Sequence, residues 1–86
     1  MIIRVETVVN GDSMDHFVMI EYAVDIQTYR EKYSEILDEW YSEIPECWGH
    51  HDMITKFIET LKKYNIEAED VAYMVEDVVI GVTYDK

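Results

Sequence analysis

Eighty-six residues with a formal charge of −12, from 19 acidic and 7 basic side chains, make one domain and no more. Hydrophobic residues are 49% of the chain, which argues against disorder, and no apolar run nears the roughly 18–20 residues of a membrane span. The acidity disfavours direct binding to nucleic acid or to an anionic membrane, because both need Lys and Arg.

The start, Met1-Ile2-Ile3-Arg4-Val5-Glu6, alternates apolar and charged residues and lacks the continuous apolar stretch of a signal peptide. Cys47 is the single cysteine, so no internal disulfide forms. Both points make the cytoplasm the expected compartment.

The first 24 residues read as a β-hairpin. Odd positions Met1, Ile3, Val5 and Val9 share one face, as do even positions Val18, Ile20, Tyr22 and Val24. Asn10-Gly11 between them is the strongest short hairpin signal. A two-residue turn there pairs Val5 with His16, Ile3 with Val18 and Met1 with Ile20, so turn and pattern agree.

Asp25 is a candidate N-cap for a helix running to about Ile44. Ile26, Tyr29, Tyr33, Ile36, Leu37, Trp40 and Ile44 follow helical spacing and form one apolar stripe. Pro45 ends it, since the residue before a proline avoids the helical region. Asp52 is a candidate cap for a second helix to about Tyr64. Its buried face is Ile54, Phe57, Ile58, Leu61 and Tyr64. Lys62 and Lys63 suit its C-terminal dipole and Asn65 a left-handed cap.

The tail reads two ways. Val71, Tyr73 and Val75 alternate, as do Val78, Ile80, Val82 and Tyr84, which predicts a second hairpin turning at Glu76-Asp77. Ala68, Val71, Val75 and Val78 also fit a helical stripe. The β-branched and aromatic content favours the hairpin. The expected fold over residues 1–86 is therefore α+β. A small antiparallel sheet, made of the N-terminal hairpin and one or two C-terminal strands, carries two central helices on one face, in the order β-β-α-α-β(-β).

Charge is uneven along the chain. Residues 25–44 carry six acids and two bases, residues 45–65 three of each, and residues 66–86 six acids and one base. At ~100° per residue Glu31, Glu35, Asp38 and Glu39 lie opposite the apolar stripe of the first helix, with Glu43 following. Like charges three and four apart cost ~0.2–0.5 kcal/mol per pair, so stability alone does not call for them. Glu67, Glu69, Asp70, Glu76 and Asp77 form a second cluster. Such surfaces are of the scale of a phosphate backbone, with one phosphate every ~3.4 Å along a strand. The expected partner is a basic nucleic-acid-binding protein or enzyme, attracted by long-range steering. Small phage-type anti-restriction and anti-CRISPR inhibitors act in this manner. The plainer alternative is a solvated face that only maintains solubility.

Catalytic chemistry is not expected. Cys47, His50 and His51, with Asp52, crowd into six residues, but structural zinc needs two ligand pairs at defined spacings, so neither a metal nor another cofactor is expected. Cys47 with a neighbouring histidine is a poor nucleophile–base pair, because such sets assemble from distant segments. Cys47 reads instead as a small apolar residue, Gly49 as a turn, and the histidines as starting the second helix. Tyr41 and Trp48 are the aromatics that the core stripes explain least. They suit an alternative reading as anchors of an adaptor or homo-oligomeric module, with an open sheet edge allowing a homodimer. Trp48 could equally fold back over the end of the helical pair.

Overall fold

A computed structural model describes the backbone of residues 1–71 and 78–85, and the side chains of residues 1–71. Strands β1 (Ile2–Val9) and β2 (Asp12–Met19) come first. Helix α1 (Ala23–Glu43) follows, then a 3₁₀ turn (Ile44–Glu46) and helix α2 (His50–Lys63). Strands β3 (Glu69–Val71) and β4 (Val78–Asp85) complete the order. The fold is α+β, with β1, β2 and β3 antiparallel and the helices packed against the sheet.

The hairpin forms around Asn10 and Gly11, whose φ values of 53° and 82° are both left-handed, as a two-residue turn requires. The register pairs Val5 with His16 and Ile3 with Val18, and Ile20 donates its N–H to the Met1 carbonyl at 2.9 Å. Alternation then puts Ile3, Val5 and Thr7 of β1 on the helix-covered face with His16 and Val18 of β2 and Ile20 just after it, and all six are buried.

Both helices present the expected stripes. Tyr29, Ile36 and Trp40 of α1 and Ile44 are buried with Met53, Ile54, Phe57 and Leu61, and Ile26, Tyr33, Leu37 and Ile58 pack around them. Trp40 is the junction. Its indole meets the Phe57 ring edge-to-face at 4.9 Å and donates to the Met53 carbonyl at 2.9 Å. The buried Tyr29 hydroxyl has no hydrogen-bond partner among the described residues. Burial pushes its ionisation well above the ordinary tyrosine value.

The expected caps are replaced. Helix α1 starts two residues before Asp25, so Asp25 is buried in the first turn and accepts from the Glu67 N–H at 3.1 Å, tying the segment after α2 to the start of α1. Gly49 is the N-cap of α2, and Asp52, one turn in, reaches back to the Trp48 N–H at 3.1 Å. In both places the carboxylate is close to the helix N-terminus but serves a donor outside the first turn. Asn65 takes the left-handed conformation, φ 61°, as expected.

The C-terminal hairpin is corrected. The strand order is β3-β2-β1-β4, so β3 and β4 lie on opposite edges and do not pair with each other. Strand β4 runs parallel to β1, with Ile80 beside Ile3 and Val82 beside Val5. Ile80 thus takes a partner other than Tyr73; Tyr73, Val75, Glu76 and Asp77, on which the expected turn was built, lie outside the described residues. The physical reason is that alternation fixes which residues of a strand share a face, not which open edge the strand joins. The free edge of β1 accepts β4 with the same parity as a hairpin partner would.

Candidate functional site

The carboxylates of α1 divide into two rows. Glu31, Glu35 and Asp38 are exposed on its outer face, four and three residues apart. Gln27 donates to Glu31 at 3.0 Å, and Lys32 approaches Glu35 at 3.7 Å. Asp38 has no ion pair among the described residues. Glu39 and Glu43 lie on the flank that meets α2 and share the Lys63 ammonium, each at 2.9 Å. Lys56 adds contacts to Glu43 at 3.9 Å and to Glu59 at 3.4 Å. The Lys63 hydrogen bond holds the Glu39 carboxyl below its ordinary value, and the two glutamates hold Lys63 above its own. Lys56 and Lys63 of α2 are therefore paired within the molecule, and the α1 carboxylates they reach are Glu39 and Glu43, two of the five singled out there.

Of the second acidic cluster, Glu67, Glu69 and Asp70 are exposed. Glu69 and Asp70 are in the edge strand β3 beside Met19 and Val18. Glu67 and Glu69 also line a shallow cleft of about 100 Å³ with Met19, Glu21, Tyr22 and Ala68. This cleft is at the opposite end of β2 from the hairpin turn. Glu76 and Asp77 lie outside the described residues.

The two singled-out aromatics part company. Tyr41 is half-buried against Trp40, with ring centroids 5.4 Å apart. Trp48 is 94% exposed. It does not fold back over the helical pair. Gly49 is fully extended, with φ −177° and ψ −167°, which carries the chain straight from Trp48 into α2.

Cys47, His50 and His51 separate as well. Cys47 is buried in the core and its thiol faces the Glu43 carbonyl at 3.8 Å. His51 is exposed. No group of three His, Cys, Asp or Glu side chains among the described residues is arranged to hold a metal ion.

His50 instead joins a chain that residue spacing did not reveal. Its Nε2 lies 3.0 Å from Asp12 Oδ2, and its Nδ1 lies 2.6 Å from Thr7 Oγ1. The Thr7 hydroxyl lies 3.2 Å from His16 Nε2 on its other side. A carboxylate only accepts, so His50 Nε2–H donates to Asp12. In neutral His50 the Nδ1 then accepts from the Thr7 hydroxyl, whose oxygen accepts from His16 Nε2–H. Three donors meet three acceptors, and β1, β2, the hairpin end and α2 are joined at one point. Thr7 is fully buried, so its hydroxyl is out of reach of a substrate. Burial holds His16 below the ordinary histidine value. Asp70 and Asp15 oppose that shift, and His50 and His51 add to it. The signal was present in the parity: the register that pairs Val5 with His16 puts His16 and Thr7 on the core face, where a polar side chain needs a partner.

Comparison with protein-family models, with curated proteins and with solved structures finds no match. No helix among the described residues is long and apolar enough to cross a membrane.

Proposed function

We propose that this protein is a non-catalytic, protein-binding inhibitor that presents carboxylates to a basic nucleic-acid-handling enzyme, in the manner of a phage-type anti-restriction or anti-CRISPR protein. The observation that supports this reading is the division of the α1 carboxylates. Lys63 and Lys56 neutralise Glu39 and Glu43 at the helix seam. Glu31, Glu35 and Asp38 are exposed on the outside, where the neighbouring Lys32 of the same helix approaches Glu35. Over seven residues this row spans ~10 Å, the length of about three phosphates of one strand. A basic cleft shaped for that backbone meets a rigid helix with similar charge spacing. The row, rather than all five acids, is the contact surface, with Glu67, Glu69 and Asp70 contributing to the field that steers the encounter.

The test is a pull-down at low and high salt with the pair Glu35→Lys and Asp38→Lys as the control. A basic nucleic-acid enzyme retained at low salt, released at high salt, and lost from the double variant supports the reading. Retention by the double variant at unchanged affinity would sink it.

Exposure of Trp48 favours a second reading, an adaptor that uses an aromatic anchor. Binding would then survive high salt and the double variant, and Trp48→Ala would abolish it.

A further inference from the structure

Two imidazoles flank one buried hydroxyl, and that arrangement limits how many protons the site accepts. With both rings neutral, each of the three links in the chain His16–Thr7–His50–Asp12 has one donor and one acceptor. One added proton on His50 is accommodated by reversal. His50 Nδ1–H then donates to Thr7, and Thr7 donates to the Nε2 of His16 in its other tautomer. A second proton has no such solution. Both rings would point N–H groups at the same oxygen, from 2.6 and 3.2 Å. The Thr7 proton would lose its acceptor, and two cations would face each other across a buried residue, which a low-dielectric setting penalises.

We propose that the Asp12–His50–Thr7–His16 chain is a proton-operated clasp that holds the first turn of α2 to the hairpin and lets go of it, together with the adjoining Trp48, when both imidazoles are charged. The clasp is independent of the inhibitor reading, because none of its members is in the outer row of α1. Its position makes it a control point. His50 is the first residue of α2 and Trp48 is two residues upstream. The first helical hydrogen bond, from the Met53 N–H to the Gly49 carbonyl at 3.1 Å, is set in the same turn.

The direction with pH follows from burial. His16 takes up a proton less readily in the folded chain than at its ordinary value of 6.5. The clasped state is therefore fully favoured above that value and loses ground as pH falls below it. The charged and titratable groups around His16 are Asp15 on its own strand, Asp70 on β3, and His50 and His51 on α2. Asp15 is also paired with Arg4 at 3.1 Å. The carboxylates favour the imidazolium and the histidines oppose it, so the net outcome is set by burial.

The experiment is NMR of the whole chain between pH 8 and pH 5, reading imidazole nitrogens and backbone amides together. At pH 8 His16 should be the Nε2–H tautomer. On acidification the amides of Trp48, Gly49 and Met53 should shift in step with the His16 ring, with a midpoint below 6.5. The Met53 protection factor should fall with them, while amides in the middle of α1 stay put. Thr7→Val, which keeps the shape and deletes the hydroxyl, should lower Met53 protection roughly three- to tenfold at pH 7 and uncouple it from His16. Thr7→Ser should restore the coupling. A His16 ring that titrates while Trp48, Gly49 and Met53 keep their shifts and protection would overturn the proposal. So would a folded Thr7→Val variant with wild-type protection. Should Thr7→Val fail to fold, the wild-type titration decides alone.

Discussion

The inner and outer faces of α1 are built from one helix and obey different rules. Inside, Tyr29, Ile36 and Trp40 are sealed against α2 and the sheet, and every polar atom there needs a partner. Outside, Glu31, Glu35 and Asp38 stand in water, where a charge costs little and contributes little. Charge density is thus a poor guide to what holds this fold.

Substitution along α1 should expose that contrast. The largest effect belongs to Trp40→Ala, which removes a fully buried indole, its hydrogen bond to Met53 and its contact with Phe57. A loss of about 3–5 kcal/mol is expected in denaturant unfolding. Tyr29→Phe should run the other way. Its hydroxyl is buried with no partner among the described residues, so deleting the oxygen should stabilise the protein by roughly 1 kcal/mol. A loss of stability instead would mean that the hydroxyl is satisfied.

At the seam between the faces, Lys63→Ala should let the Glu39 carboxyl rise towards its ordinary value, read from its side-chain carbon resonance. Because Lys63 lowers that value in the folded state, the pairing favours folding above the ordinary carboxylate value of 4.5 and is lost as pH falls through the folded one. The acid limb of the stability curve should flatten in the variant. Smallest of all, the Glu35→Lys and Asp38→Lys pair should leave stability within about 0.5 kcal/mol of the wild type. Unchanged stability is what would make a loss of binding in this variant interpretable; a collapse of the fold would erase the distinction between the two faces.

The hairpin register, both helix stripes and the Asn65 cap were legible because each rests on a short-range rule, with Asn10-Gly11 fixing the turn and period fixing the face. The partner of β4 was not, because an open edge of β1 and an open edge of β3 are equivalent to an alternating sequence. Asp25 and Asp52 were recognisable as helix-start residues, yet which N–H each accepts from depends on where distant backbone comes to rest. At the candidate site, exposure of Glu31, Glu35 and Asp38 followed from helical angle alone. The withdrawal of Glu39 and Glu43 did not, because it required knowing that Lys63 of the next helix comes alongside. Parity put Thr7 and His16 of the histidine chain on the core face, but it did not supply His50. Thr7 and His50 are 43 positions apart, and nothing local to either anticipates a shared hydroxyl.

The parallel pairing of β1 with β4 sets an order of assembly. Ile2 is aligned with Val78, so β2, both helices and β3 all lie between the two strands of this pairing. On the ribosome, β1 emerges before β4, and its outer N–H and C=O groups lack their strand partner until β4 follows. That interval is when the nascent chain is most open to pairing with strands of its neighbours. The strand carrying Thr7 would gain its full complement of backbone bonds only at that step.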